Sequence, residues 1–219
     1  MSHEDEDMVH VVQGKAPRAL LTHLRDVRSD GRTFATYVDR ACTVLAEEAI
    51  AQDHLVVEKM IKTPCGECTG YFSPRYDQMC AVSIMRSGDL VLEALRRLEP
   101  GIPVGKILIQ RDESDAEKKA ILFYSKLPPN ISELQVLLVD PMIATAGSAI
   151  KAIEVLTERD VNPADITFVN MIASPEGIAA LRKAYPQVHI VTLAIDEYLN
   201  ENKYIVPGLG DCGDRAMQT

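Results

Sequence analysis

The sequence predicts an α/β fold: an open, mainly parallel sheet with helices on both faces, an N-terminal helix and a projecting two-stranded arm. Three observations carry this. Apolar runs at 79–84, 104–109, 135–139, 166–172 and 189–195 are hydrophobic throughout, as strands covered on both faces are. Helical patterns at 90–98, 148–159 and 176–185 fill the intervals and are long enough for the crossovers that parallel neighbours require. At 219 residues and 47% hydrophobic content the chain can bury one sizeable core without a second domain.

Taken in order, the chain begins with the acidic run Met1-Ser2-His3-Glu4-Asp5-Glu6-Asp7. Residues 1–17 read as a solvated, disordered tail and 18–219 as a single domain. Phe34, Val38, Ala41, Cys42, Leu45 and Ala49 then recur at helical spacing behind Ser29-Asp30, which can cap a helix that packs on the core. Next, Thr63-Pro64-Cys65-Gly66 reads as a turn between an extended run at 55–61 and Tyr71-Phe72. The spacing of Cys65 and Cys68 also admits a thiol redox pair or half a zinc site. A structural zinc needs four ligands, however, and no second Cys/His pair of such spacing exists, so a hairpin is the expectation. The β-prone segment 120–127 ends at Pro128-Pro129 and follows the charge-rich 111–119, which together read as the projecting arm at about 111–128.

Charge and composition exclude several function classes. A formal net charge of −9 is the wrong sign for a non-specific nucleic-acid binder, which displaces counterions with a basic surface. No apolar stretch approaches the roughly 20 residues that span a bilayer, and the acidic beginning is unlike a signal or transit peptide. A cytoplasmic protein without membrane or nucleic-acid partners is expected. Five cysteines, an odd number, are expected as reduced thiols there.

The chemistry is concentrated in Val136-Leu137-Leu138-Val139-Asp140-Pro141-Met142-Ile143-Ala144-Thr145-Ala146-Gly147-Ser148. An apolar strand ends on a carboxylate, turns through small and hydroxyl residues and opens a helix. Such a strand puts Asp140 at the carboxyl edge of the sheet, where open α/β folds bind ligands. Residues 145–148 then offer hydroxyls and backbone N–H groups at a helix N-terminus, whose partial positive charge favours a phosphate. No Gly-Lys-Ser/Thr follows, so this is not a Walker loop. A phosphosugar with a diol for Asp140 and a monophosphate for the loop fits better.

This order of strand, carboxylate and phosphate loop resembles the phosphoribosyltransferases, and the Asp140-Pro141-Met142 and Ala144-Thr145-Ala146-Gly147-Ser148 forms are similar to the uracil phosphoribosyltransferases. Three further segments agree: Ser83-Ile84-Met85-Arg86-Ser87-Gly88 with that family's pyrophosphate loop, Gly105 to Glu113 with its second arginine strand, and Tyr204-Ile205-Val206-Pro207-Gly208-Leu209-Gly210-Asp211 with its uracil loop. The resemblance runs over roughly residues 20–215. It implies a type I phosphoribosyltransferase fold and an enzyme of pyrimidine salvage that makes UMP and pyrophosphate from uracil and 5-phosphoribosyl 1-pyrophosphate (PRPP). The implied catalytic residues are Arg86, Arg111, Asp140 and Asp211. PRPP would be held by Arg86, Ser87, Gly88, Arg111, Asp140, Ala144, Thr145, Ala146, Gly147 and Ser148. Uracil would meet backbone groups of Ala144, Ile205 and Gly210 with Tyr204 near the ribose, in a base-binding loop at about 204–215. Magnesium is implied chiefly by the diphosphate, with Asp211 reaching it through water. A homodimer or homotetramer, and a GTP effector, are known in the family, and no residue here can be assigned to either.

Each of these residues also has a plainer reading. Asp140 could be a helix N-cap, Arg86 a surface salt bridge, Arg111 a partner of Asp112 and Glu113, and 204–211 an ordinary Gly/Pro loop. Lys106, inside a strand, is given no role. The tail Arg215-Ala216-Met217-Gln218-Thr219 departs from the family's Arg-Tyr-Phe-Gly-Thr and loses two aromatic rings of packing surface. Two other functions stay open: a phosphoribosyltransferase for another base, or a non-catalytic ligand sensor or RNA binder on the same fold. The 204–211 loop weighs against the first, the full set of substrate residues against a sensor, and the acidic charge against RNA.

Overall fold

The computed structural model describes residues 8–52, 54–111 and 120–219, with only the backbone of Arg111 among them. Its strands are β1 (Val9–Val11), β2 (Val57–Thr63), β3 (Gly66–Phe72), β4 (Met79–Met85), β5 (Val104–Arg111), β6 (Ala120–Lys126), β7 (Gln135–Val139), β8 (Met142–Ile143), β9 (Ile166–Ala173), β10 (His189–Ile195), β11 (Tyr198–Leu199) and β12 (Ile205–Val206). Its helices are α1 (Lys15–Arg25), α2 (Gly31–Ile50), α3 (Asp89–Leu98), α4 (Gly147–Thr157), α5 (Pro175–Ala184) and α6 (Cys212–Met217).

The main sheet runs β1-β10-β9-β7-β4-β5-β6, with β8 attached to β9. Every pairing in it is parallel except β5 with β6. The period of two splits each buried strand between two cores. Met79 and Ala81 of β4, Leu137 and Val139 of β7, and Val191 and Leu193 of β10 join a first core with residues of α1, α2 and α3. Cys80, Val82 and Ile84, Val136 and Leu138, and Ile190 join a second core with Ala149, Ala152, Ile153 and Leu156 of α4 and Leu181 of α5. The strands read as unbroken apolar runs because both faces are covered. All six residues singled out on α2 are buried, and Asp30 caps that helix by accepting a hydrogen bond from Thr33 N at 2.8 Å.

The decisive feature for function is the neighbourhood of β4 and β7. The chain leaves β4 through α3, against the first core, and leaves β7 through α4, against the second. Adjacent strands whose following helices depart to opposite faces open a crevice at their carboxyl ends.

Three expectations need correction. The segment 9–17 is not a solvated tail: β1 extends the sheet beside β10, and Pro17 is buried on α1, which begins at Lys15. Residues 1–7 lie outside the described residues. Secondly, the segment around 120–127 is not a projecting arm. β6 is the antiparallel edge strand of the main sheet, because Ala120 and Leu122 find apolar surface in the second core; 112–119 lie outside the described residues. The two-stranded arm is the hairpin β2–β3, which forms a separate sheet and carries exposed Met60, Tyr71 and Phe72. Its turn is the expected one, with Thr63 paired to Gly66, and Cys65 and Cys68 are exposed free thiols. Thirdly, 204–215 is only partly loop, since β12 opens it and α6 closes it.

Candidate functional site

A cleft of about 950 Å³ lies at the carboxyl ends of β4, β5 and β7. It gathers Arg86, Ser87, Asp140 and the run Ala144 to Ser148 with Tyr204, Ile205, Gly210 and Asp211. These come from three stretches of sequence separated by tens of residues, and the sheet topology alone brings them together.

The phosphate loop is built by the turn after β7. Pro141 cannot donate to a ladder, and its carbonyl accepts from Met171 N and Ile172 N instead, which lets β8 join β9. Ala146 then sits at φ 62°, a left-handed conformation that an L-residue with a Cβ adopts at a disadvantage of roughly 1–2 kcal/mol. It begins α4 without any side-chain cap, so the first-turn N–H groups face the cleft with no side chain drawn across them. A Cβ at Gly147 would meet nothing nearer than Thr145 Oγ1 at 3.7 Å. The fold does not demand glycine there, and the space belongs to whatever binds. Oxygen atoms of a phosphate suit that space, the exposed N–H groups and the helix dipole together.

The loop is held from behind by α5. Ser174 caps that helix through Gly177 N (2.9 Å) and donates its hydroxyl to Ala144 O (2.6 Å). A Cβ on Gly177 would run into that same carbonyl oxygen. Gly177→Ala is therefore expected to displace Ala144 and destabilise the protein by about 1–3 kcal/mol, the range for overpacking. A thermal melt matching the parent would show that this packing yields freely.

Asp140 is not the cap of α4. Its Oδ1 accepts from Ser87 Oγ at 3.0 Å, tying the ends of β7 and β4 across the crevice. Arg86 is largely exposed and pairs with Asp214 at 3.8 Å. At that exposure such a pair is weak and easily exchanged for an anion. Gly88, expected to contact ligand, does not line the cleft. It is glycine because a Cβ would strike the carbonyls of Ile84 and Val139 where the chain turns back between β4 and β7. The backbone of Arg111 ends β5 opposite Ala120, at the rim of the same sheet edge; its side chain lies outside the described residues. Lys106 pairs with Asp89 at 2.7 Å, and Asp89 also accepts from Ser83 Oγ at 2.6 Å, so this lysine anchors the start of α3.

Asp211 caps α6, with Oδ1 accepting from Asp214 N at 2.9 Å. Cys212 beside it is buried, and burial, reinforced by Cys42 and the Asp140 and Asp211 carboxylates, pushes its thiol above the ordinary range. It stays protonated and is no nucleophile. Among the described residues no cluster of three His, Cys, Asp or Glu side chains could cage a metal ion. The carboxylates lining the cleft among the described residues are Asp140 and Asp211, a sparse set that suits a magnesium ion arriving on a diphosphate and retaining waters.

The sequence reading missed Gln110, Asn202 and Lys203 in the cleft wall. The last two belong to the short hairpin β11–β12, whose Leu199 N is held by Glu176 Oε1 at 3.1 Å. Hydrogen bonds from its own N–H and that of Leu199 keep the Glu176 carboxyl below its usual range. Two-residue strands carry no periodicity, so only Asn200-Glu201-Asn202 hinted at the turn.

A family profile described as uracil phosphoribosyltransferase matches residues 11–219. The chain is 48% identical to uracil phosphoribosyltransferase of Saccharomyces cerevisiae over 90% of its length and 89% of the relative's. It is 43% identical to that of Dictyostelium discoideum, covering 98% and 97%. A solved structure of a protein from Aquifex aeolicus superposes with a TM-score of 0.80 at 27% identity, over 95% of this chain and 97% of that one. The match spans the phosphate loop, the Arg86 turn and the 204–211 loop alike, and on it the chain belongs to the uracil phosphoribosyltransferase family.

Proposed function

We propose that the cleft transfers the phosphoribosyl group of PRPP to N1 of uracil, releasing pyrophosphate and forming UMP for pyrimidine salvage. The observation that carries this reading is the union, in one cleft, of a phosphate loop, a carboxylate beside it and the 204–211 loop, whose Tyr204, Ile205 and Gly210 line the same space. The bond from the anomeric carbon to the pyrophosphate oxygen breaks as the bond to uracil N1 forms, and N1 loses its proton. Charge separates along that axis, so the protein's task is to position the parts and stabilise charge.

In this reading the N–H groups and hydroxyls from Ala144 to Ser148 take the 5′-phosphate and Asp140 faces the ribose hydroxyls. Arg86 gives up Asp214 for the pyrophosphate, Ser87 and Arg111 assist it, and Asp211 reaches the metal through water. Magnesium, when bound, offsets charge on the leaving diphosphate. Uracil is read by peptide groups of Ile205, Gly210 and Ala144, with Tyr204 at the ribose. A homodimer or homotetramer suits the hairpin β2–β3, whose exposed Met60, Tyr71 and Phe72 offer apolar surface for a second copy. A cytosolic location suits the five unpaired thiols.

Purified protein incubated with PRPP, magnesium and uracil should release UMP and pyrophosphate, and no product with uracil would overturn the proposal. Within it, Thr145→Ala should weaken PRPP binding by roughly ten- to a hundredfold, since a hydrogen bond to a charged group contributes about 1.5–3 kcal/mol. The melting temperature should hold. Calorimetry returning the parent's affinity would remove Thr145 from the phosphate site.

A further inference from the structure

Behind the base-binding loop lies an ion pair that the transfer chemistry does not use. Asp196 follows β10 directly, its side chain is 3% exposed, and its backbone N is bound to Ala173 O at 2.8 Å. Its carboxylate takes both guanidinium arms of Arg25, the last residue of α1, at 2.7 and 2.5 Å. A planar fork on a carboxylate is the most direction-specific of charged pairs. What the pair grips is one residue of the loop: Asp196 Oδ2 accepts from Gly208 N at 2.8 Å, and Arg25 donates to Gly208 O at 2.9 Å.

Both polar groups of Gly208 are thus consumed, and the residue is pinned on its other side as well. Its φ is 61°, and a Cβ there would run into the Ile205 carbonyl. The next residue is held in the same way. Arg215 donates to Leu209 O at 2.6 Å and, across to the end of α1, to Leu24 O at 2.5 Å and Asp26 O at 3.1 Å, with its guanidinium 4.1 Å over the Phe34 ring. Val206 O, one turn earlier, accepts from Glu197 N at 2.9 Å. Between Ile205 and Gly210, the two positions whose peptide groups would meet the base, the backbone groups named here are tied to the scaffold and turned from the cleft. A chain fixed at 206, 208 and 209 leaves the flanking peptides at 205 and 210 little freedom to rotate.

We propose that Arg25 and Asp196 are positioning residues for base recognition: they clamp Gly208 so that the peptides of Ile205 and Gly210 present one fixed pattern of donors and acceptors. This rests on the assignment of the 204–211 loop to the base. The side-chain bonds of the clamp join Arg25, Asp196 and Gly208 and reach no residue from Ala144 to Ser148, so it should act on uracil and leave PRPP alone.

The test is steady-state kinetics of the full chain with each substrate varied. Arg25→Met combined with Asp196→Leu removes both charges together, so that no uncompensated buried charge is left. It should raise KM for uracil at least tenfold, with KM for PRPP within twofold and the protein still folded by circular dichroism. Arg25→Lys, which keeps the charge and loses the fork, should fall between this variant and the parent and serves if the double variant does not fold. Gly210→Ala, placing a side chain at φ 77° in the loop itself, is the control. If Gly210→Ala raises KM for uracil and the folded Arg25 and Asp196 variants do not, the clamp is refuted while the loop assignment stands. If none of them moves KM for uracil, the loop assignment fails and the clamp with it. An equal rise in both KM values would likewise refute a role confined to the base.

Discussion

Arg86→Ala is expected to lower the transfer rate by about 10²–10³-fold, the effect of removing one preorganised donor from developing negative charge. The free protein shows why the loss should appear in the rate. The guanidinium already stands in the cleft, largely exposed, on a 3.8 Å pair with Asp214 that solvent screens. Exchanging that carboxylate for pyrophosphate requires little rearrangement, and the gain grows as the leaving group takes up charge. Arg86→Lys restores the charge and loses the paired geometry, so it should recover part of the rate. Neither change should shift the melting temperature by more than a degree or two, because a surface pair of this kind contributes about 0–1 kcal/mol. Parent-like turnover by both variants would leave Arg86 a surface residue paired with Asp214 and nothing more.

The contrast between Arg86 and Gly88 marks how far sequence reading reaches. Long, doubly buried strands announce themselves through unbroken apolar runs, and the ends of β7 and β10 fell where those runs stop. A carboxylate closing such a run, as Asp140 closes Val136 to Val139, places a residue at the functional edge before any coordinates exist. Asp196 closes Ile190 to Ile195 by the same rule, yet its partner Arg25 is 171 residues away and no local pattern connects the two. Short elements fail for a different reason. β8, β11 and β12 have two residues each, too few to show a period, and β1 has three. Gly88 is ambiguous in sequence because a glycine beside an arginine in a turn satisfies two demands equally well, close approach of a ligand or close approach of the chain's own carbonyls. Only the packing of β4 against β7 decides between them. The edge strand β6 and the arm β2–β3 are both β-prone hairpin partners in sequence. Which one joins the sheet depends on whether apolar surface lies beneath it, as it does beneath Ala120 and Leu122.

Cytosine should not be turned over, whereas uracil and 5-fluorouracil should. Uracil offers carbonyl, N–H and carbonyl along one edge, and fluorine at position 5 leaves that edge intact. Cytosine puts an amino group where the 4-carbonyl stood and has no proton on N3, so one donor of the loop faces a donor and one acceptor faces an acceptor. Each unmet buried group carries a penalty of about 1–3 kcal/mol, and two of them reduce kcat/KM by roughly a hundredfold or more. A loop of side chains could relieve such mismatches by rotamer change or amide flip. In the proposed reading the base meets this loop through its backbone, and the backbone is clamped: Gly208 by Arg25 and Asp196, Leu209 by Arg215, Val206 by Glu197. Reorienting the peptide of Ile205 or Gly210 would strain the bonds that hold Gly208 between them to Arg25 and the buried Asp196, so the mismatch stays in place. Hypoxanthine should fail as well, since its second ring extends beyond the edge that the loop reads. Competition between the bases, measured by product formation at equal concentrations, decides the matter. Comparable turnover of cytosine or a purine would refute the uracil-specific loop and leave a phosphoribosyltransferase of broader taste, and no turnover with any base would return the fold to the role of a ligand sensor.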